Sequence, residues 1–262
     1  MKRKTLHDFF LTPHPTSNKR SQPGVSMDLP QEVDLKRPPG LSIIMDFVSH
    51  DEEQTILSFL EAQTWRTDLS RRTMHFGGEY CLMPPRNATP ELKKIIERDI
   101  ITAPPMPQEL DFLVDKMVRA GLYRQEKRPA YCIVNEYLPG QGISAHVENF
   151  RFGEPVVSLT LAGSDSMRFH HLASAHAGSV RSGNSSLAPR TGRQEDVVMQ
   201  RRSLLILRED ARSTWQHEIR RTAASSKPLG WRRVSLTFRV DKTADHKGHD
   251  KGGRTTRAMT SA

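Results

Sequence analysis

The second half of the chain reads as a succession of short β-forming segments, and that succession constrains the fold more than any other feature. Residues 131–138, 156–161, 166–171, 196–200, 203–208 and 233–240 alternate apolar with polar side chains or run apolar throughout. Short runs of this kind, bounded by turn-forming residues, are strands of a two-sheet β sandwich.

The first half supplies helices. Residues 51–65 put Ile56, Leu57 and Leu60 on one inner face, and Thr89 with Pro90 opens a second helix carrying Leu92, Ile95 and Ile96. Residues 107–120 place Leu110, Leu113, Val114, Met117 and Val118 at helical spacing, and Gly121 ends the pattern. Ser49 and Glu52 have the spacing of a capping box, which assigns the pair His50 and Glu52 a structural role. These apolar stripes pack on the outside of a sheet. The expected class is mainly β with flanking α-helices.

Residues 1–40 are polar, rich in Pro and Ser and without periodicity, so they are expected to be disordered. The folded domain is expected over 41–240, with a flexible Ser, Gly and Ala-rich insertion at 173–195 and a disordered basic tail at 241–262. Of the net charge of +9, the two tails carry +5, from seven Lys/Arg against four acids and five against three. This balance favours a nucleic-acid partner without establishing one. The paired arginines at 71–72, 201–202, 220–221 and 232–233 fit either a phosphate-binding face or an ordinary solvated surface. No apolar run approaches the roughly 18 residues of a membrane span, and no secretory leader is evident. Cys81 and Cys132 are too few for a disulfide framework, which suits a reducing interior, and a monomer is expected.

The chemistry concentrates in three pieces. NEYLPGQGISAHVE (135–148) carries His146 and Glu148 just past a strand and a Pro-Gly turn; WQHEI (215–219) carries His217; and RVSLTFR (233–239) carries Arg233 and Arg239. Two imidazoles and a carboxylate partly neutralise an Fe(II) ion and leave positions open for a bidentate 2-oxo acid and dioxygen. The far carboxylate of a dicarboxylate needs a guanidinium fork. Residues six apart on a strand share a face, so Arg233 and Arg239 line one cavity while Arg232 points away.

These residues resemble the AlkB-like Fe(II)/2-oxoglutarate-dependent dioxygenases, over roughly residues 41–240. The resemblance implies a jelly roll, the double-stranded β-helix, with N-terminal buttressing helices. It implies that His146, Glu148 and His217 bind iron and act in catalysis, and that Asn135, Tyr137, Arg233 and Arg239 hold 2-oxoglutarate. Glu148 departs from the family's HxD pattern, and Ser235 stands where many members have Asn. RRTMHFGGEY (71–80) resembles the nucleotide-facing lid of members that act on transfer RNA. His170, His171 and His176 are read as surface or substrate-side residues.

The implied activity is oxidative demethylation of alkylated nucleic acid, with Fe(II), 2-oxoglutarate and dioxygen. The segment KRKTLHDFF (2–10) groups Leu6, Phe9 and Phe10 and resembles the sliding-clamp (PCNA) interaction box, with Arg3 in place of its Gln. Clamp binding points to DNA repair, and Lys2–Lys4 with Lys19 and Arg20 fit nuclear import, with the cytoplasm as a second location. Alternatives are an RNA (tRNA) hydroxylase or demethylase, and a non-catalytic clamp-bound adaptor with a degenerate metal site.

Overall fold

The computed structural model describes residues 37–67, 69–81, 89–91, 100–149, 152–174 and 188–242. Its elements are β1 (Leu41–Ile44), α1 (His50–Glu61), β2 (Thr73–Phe76), β3 (Glu79–Cys81), β4 (Ile100–Thr102), α2 (Asp111–Arg119), β5 (Tyr131–Tyr137), β6 (Ile143–His146) and β7 (Val156–Leu161). They continue with β8 (Asp165–Leu172), β9 (Arg190–Met199), β10 (Leu204–Leu207), α3 (Glu209–Ser213), β11 (Trp215–Ile219) and β12 (Arg233–Arg239). A major sheet runs in the order β1-β10-β7-β12-β5-β2 and a minor sheet in the order β6-β11-β8-β9, with every pairing within them antiparallel. This is the expected mainly β, two-sheet fold, with α1 and α2 packed against the major sheet.

The alternation of β12 explains its central place. Val234, Leu236 and Phe238 join Val157, Leu159, Cys132 and Val134 in one core with Ile56, Leu60, Leu113 and Met117 of the helices. The odd-numbered partners Arg233, Ser235, Thr237 and Arg239 face a cavity on the other side, lined also by residues of the minor sheet. A second apolar cluster, with Phe169, Met199, Leu205 and Trp215, fills the rest of that layer.

Helix α1 starts where the capping box puts it. Ser49 Oγ accepts from the Glu52 backbone N–H at 3.1 Å, and the Glu52 carboxylate accepts from the Ser49 N–H at 2.7 Å. It ends at Glu61 rather than at 65, because Trp65 leaves the helix to donate to the Leu60 carbonyl and to stack 4.3 Å from the Arg72 guanidinium. The expected 107–120 helix begins with a 3₁₀ turn at Gln108–Leu110 before α2. Gly121, at φ +69°, then closes α2, with Leu122 N–H bonded to Met117 O and Gly121 N–H to Val118 O.

Two boundaries differ from expectation. β9 begins at Arg190, inside the expected insertion, and pairs there with β8. It is an edge strand, so its solvent-facing residues 191–195 are polar and carry no apolar signal. At the start, residues 37–40 are not tail: Pro39 O accepts from Ala211 N and Gly40 O from Arg208 N. The clamp-like peptide with Leu6, Phe9 and Phe10, the second helix beyond residue 91, insertion residues 175–187 and the tail from 243 onward lie outside the described residues. Among the described residues, no helix is long and apolar enough to cross a membrane.

Candidate active site

His146 ends β6 and His217 lies in the middle of β11, and the antiparallel register sets the two directly opposite each other. Their ring centroids are 4.4 Å apart. Glu148 follows two residues after β6 and brings a carboxylate oxygen to 3.6 Å from His217 Nε2. One ligand atom from each of the three lies within 4.8 Å of the others, a spacing that suits a single metal ion. The extra methylene of Glu148 therefore does not carry its carboxylate out of reach.

The protonation states suit a metal. His146 Nδ1 lies 2.9 Å from the Ser144 carbonyl, which can only accept, so Nδ1 carries the proton and Nε2 keeps its lone pair. Burial, reinforced by the neighbouring His217 ring, pushes the His146 imidazole down to about 4, so it is neutral near pH 7. Burial alone would raise the Glu148 carboxyl, but the Arg239 guanidinium and the two imidazoles outweigh it and hold the group well below the usual carboxylate range. Arg239 clasps Glu148 through Nε at 2.9 Å and Nη2 at 3.1 Å. His217 Nδ1 is buried with no protein partner.

The other end of the cavity is built around Arg233. This side chain is 1% exposed, and its Nη2 donates to Thr160 Oγ1 at 2.9 Å. Its Nε and Nη1 are buried with no acceptor among the described residues. Burial pushes its pKa down, with Tyr137 and Asp165 opposing the shift. A buried guanidinium without a carboxylate is costly unless an anion completes it. The cavity therefore offers a cation-binding cluster at one end and an unmatched cation at the other, an arrangement suited to a dicarboxylate that reaches from one to the other.

Asn135 and Tyr137 of β5 line the same cavity. Here the structure adds Arg71, which the sequence places in a lid-like segment and in an arginine pair but not at this site. Arg71 Nε donates to Asn135 Oδ1 at 2.8 Å, and its guanidinium lies 5.7 Å from the centroid of the Tyr137 ring, which Arg233 approaches at 5.4 Å. Nothing in the local pattern distinguishes Arg71 from its neighbour Arg72, which is held by Glu61 and Glu136. Ser235, set aside in the sequence reading, is buried and lines the cavity, as do Ile143 and Ile219.

The family resemblance groups Arg239 with Arg233 as holders of 2-oxoglutarate. The structure separates the two: Arg233 has free donors, whereas Arg239 is engaged by Glu148 and keeps only Nη1 without a partner. For His170 the expectation is a surface or substrate-side position. It is 4% exposed and pairs with Glu218 at 2.8 Å, because it shares a face of β8 and β11 with Glu218 rather than with Phe169 and His217. His171 stacks on Trp215 and bonds Thr191.

Residues 40–239 match the family model described as the 2OG-Fe(II) oxygenase superfamily. The chain is 27% identical over 205 residues to uncharacterized protein L905 of Acanthamoeba polyphaga mimivirus, covering 76% of this chain and 84% of that one. It is 29% identical over 194 residues to the Xenopus tropicalis protein named tRNA (carboxymethyluridine(34)-5-O)-methyltransferase alkbh8, and 29% identical over 187 residues to the Arabidopsis thaliana alkylated DNA repair protein ALKBH8 homolog. It spans 25% of the former's length and 51% of the latter's. Among solved structures, that of OsALKBH1 aligns with a TM-score of 0.49 at 18% identity, over 78% of this chain and 98% of that chain.

Proposed function

Since this chain belongs to the 2OG-Fe(II) oxygenase superfamily and is a 2-oxoglutarate-dependent dioxygenase that uses Fe(II) and dioxygen, we propose that it oxidatively demethylates alkylated nucleic acid. The iron ligands in this reading are His146, Glu148 and His217, and 2-oxoglutarate is held by Arg233 with Asn135 and Tyr137 beside it. The observation that carries the 2-oxoglutarate site is the buried Arg233 guanidinium, which lines the same cavity as the His-Glu-His cluster and whose Nε and Nη1 have no acceptor among the described residues.

Bound together, Fe(II), 2-oxoglutarate and dioxygen supply a two-electron oxidation of a C–H bond coupled to decarboxylation of the 2-oxo acid to succinate. The chain's own residues prepare that chemistry. Arg233 binds the distal carboxylate with parallel charge-assisted bonds and fixes the co-substrate's depth. Ser144 O holds the His146 ring in the tautomer that offers Nε2. Arg239 keeps Glu148 ionised and fixes its carboxylate plane. Ile143, Ile219 and Leu207 give the cavity apolar walls that exclude water. Hydroxylation of an N-methyl group leaves a hydroxymethyl amine that releases formaldehyde and the unmodified base.

The nucleic-acid substrate is supported by the sequence resemblance, by the basic balance of the chain and by the relatives' names, among them a probable RNA/DNA demethylase, ALKBH6 of Danio rerio. DNA is favoured by the clamp-like peptide at 2–10, which would recruit the protein to PCNA in the nucleus through Leu6, Phe9 and Phe10. RNA is the second reading, favoured by the resemblance of residues 71–80 to the lid of tRNA-acting members. The test is mass spectrometry of N-methylated single-stranded DNA and RNA after incubation with Fe(II), 2-oxoglutarate and air, with His146→Ala as control. Methyl loss with wild type alone supports the proposal, and the preferred oligonucleotide chooses between DNA and RNA. Turnover of 2-oxoglutarate without methyl loss from either would refute it.

A further inference from the structure

Beside the catalytic cavity lies a groove of about 440 Å³ lined by Ile143, Ser144, Glu218, Ile219, Arg220 and Arg221. Ile143 and Ile219 line the catalytic cavity too, so one cross-strand pair of side chains forms the wall between the two spaces. The groove is rich in polar atoms, and its single carboxylate is already engaged, because Glu218 pairs with His170.

Arg220 and Arg221 are exposed, and neither forms an ion pair or hydrogen bond with a side chain among the described residues. Arg220 lies close enough to Asp196 to lower that carboxyl, but Asp196 is itself bound bidentately by Arg168. In each of the chain's other arginine pairs at least one member is tied to a carboxylate. Arg72 and Arg232 share Glu61 and Glu136, Arg201 and Arg202 reach Glu53 and Asp46, Arg71 bonds Asn135, and Arg233 is buried in the cavity. Among the described residues, 220–221 is the one pair of the four with both members exposed and neither in an ion pair.

The backbone ties this pair to the catalytic residues. A Cβ on Gly142 would stand 2.3 Å from the Ile219 carbonyl and 3.1 Å from the Arg221 nitrogen, so only glycine lets the start of β6 lie flush on the segment that carries the arginines. Ser144, in the groove, accepts from His146 two residues on, about 7 Å along an extended strand. An anion in the groove therefore sits within roughly a nucleotide's reach of the reacting centre, on a rigid support. The volume exceeds what a lone ion fills and suits a phosphate with its sugar.

We propose that Arg220 and Arg221 form a phosphate subsite that grips the backbone of a nucleic-acid strand while one of its bases enters the catalytic cavity. This rests on the nucleic-acid reading above and adds to it the place where the strand is held. Guanidinium forks match phosphate oxygens bidentately and carry no base preference, so the subsite positions the strand without reading sequence.

The test is the salt dependence of binding, read by fluorescence anisotropy on a labelled single-stranded oligonucleotide, as DNA and as RNA. Each phosphate contact on a single strand contributes about 0.7 to the slope of log affinity against log salt. The Arg220→Gln/Arg221→Gln variant, which removes this one phosphate contact, is expected to lose roughly 0.7 of that slope and Arg221→Gln alone part of it. The Arg220→Lys/Arg221→Lys variant is expected to keep the slope, with all melting temperatures close to wild type. An unchanged slope in the Gln variants overturns the subsite while wild-type binding leaves the nucleic-acid reading standing. Equal loss in the Lys variant, with a lowered melting temperature, marks a structural role and also overturns it. Absence of salt-dependent oligonucleotide binding by the wild type removes both.

Discussion

Arg233 ties the site's electrostatics to its chemistry, because it is held buried in a position that only an anion completes. Truncating one partner of a buried, hydrogen-bonded charge pair costs about 2–5 kcal/mol. Arg233→Met should therefore weaken 2-oxoglutarate use by roughly 30-fold or more, seen as a raised KM in succinate release. The same change removes an unmatched cation from the ligand-free protein, so its melting temperature should hold or rise. A large fall would mean that the guanidinium is structural. The pH response follows from His146. Its imidazole titrates near 6.5 when unfolded and near about 4 when folded, so the unfolded state binds more protons between those values. Stability of the metal-free protein should be full above about pH 6.5 and fall towards pH 4. Glu148 adds to the loss below its unfolded value of 4.5, since the folded carboxyl resists protonation. Melting temperature against pH checks this, and a flat profile in that window, or an equal fall in His146→Gln, would count against it.

At the scale of elements, the antiparallel ladder β5-β12-β7 carries the cavity's polar face, β2 flanks it on β5, and one turn holds that edge in place. Gly77 and Gly78 join β2 to β3 with φ of +76° and +65°. A Cβ on Gly77 would fall 1.7 Å from the Ala130 carbonyl, just before β5. Gly77→Ala should cost about 2 kcal/mol or more, from left-handed strain plus overpacking, in urea denaturation. A loss under a few tenths would show that the turn relaxes. Such elements were legible where local chemistry decides them: the capping box before α1, the Schellman end of α2 and the period-two pattern of β12. They were not legible where the partner decides, as in β9, whose polar half forms a strand because β8 offers its ladder.

For the whole molecule, the helix layer is fastened to the sandwich by a buried charge. Glu53 is fully buried and accepts from the Ala162 backbone N–H at 2.8 Å and from Arg201 Nε at 2.9 Å, so α1 grips the β7–β8 and β9–β10 turns together. Arg201 is 38% exposed and would rehydrate if left alone. Glu53→Ala should therefore cost about 1–3 kcal/mol, chiefly for the orphaned N–H and lost bonds. Chemical denaturation measures the cost, and the 2-oxoglutarate KM should not move, because Glu53 lies on the far side of the major sheet.

The sequence by itself determined the two-layer β class, the outer helices and the identity of the chemistry-bearing residues, because periodicity, caps and residue types act over a few positions. His146, Glu148, His217 and Arg233 could be named as candidates from their residue types and spacing, with their roles implied by the family resemblance. Only the tertiary structure decided that Arg239 binds Glu148, that Arg71 reaches Asn135 across 64 positions, and that Arg220 and Arg221 are the arginine pair with no carboxylate partner among the described residues. The reason is physical: what a charged side chain does is set by which opposite charge the fold brings within about 4 Å of it, and that distance is unrelated to separation along the chain.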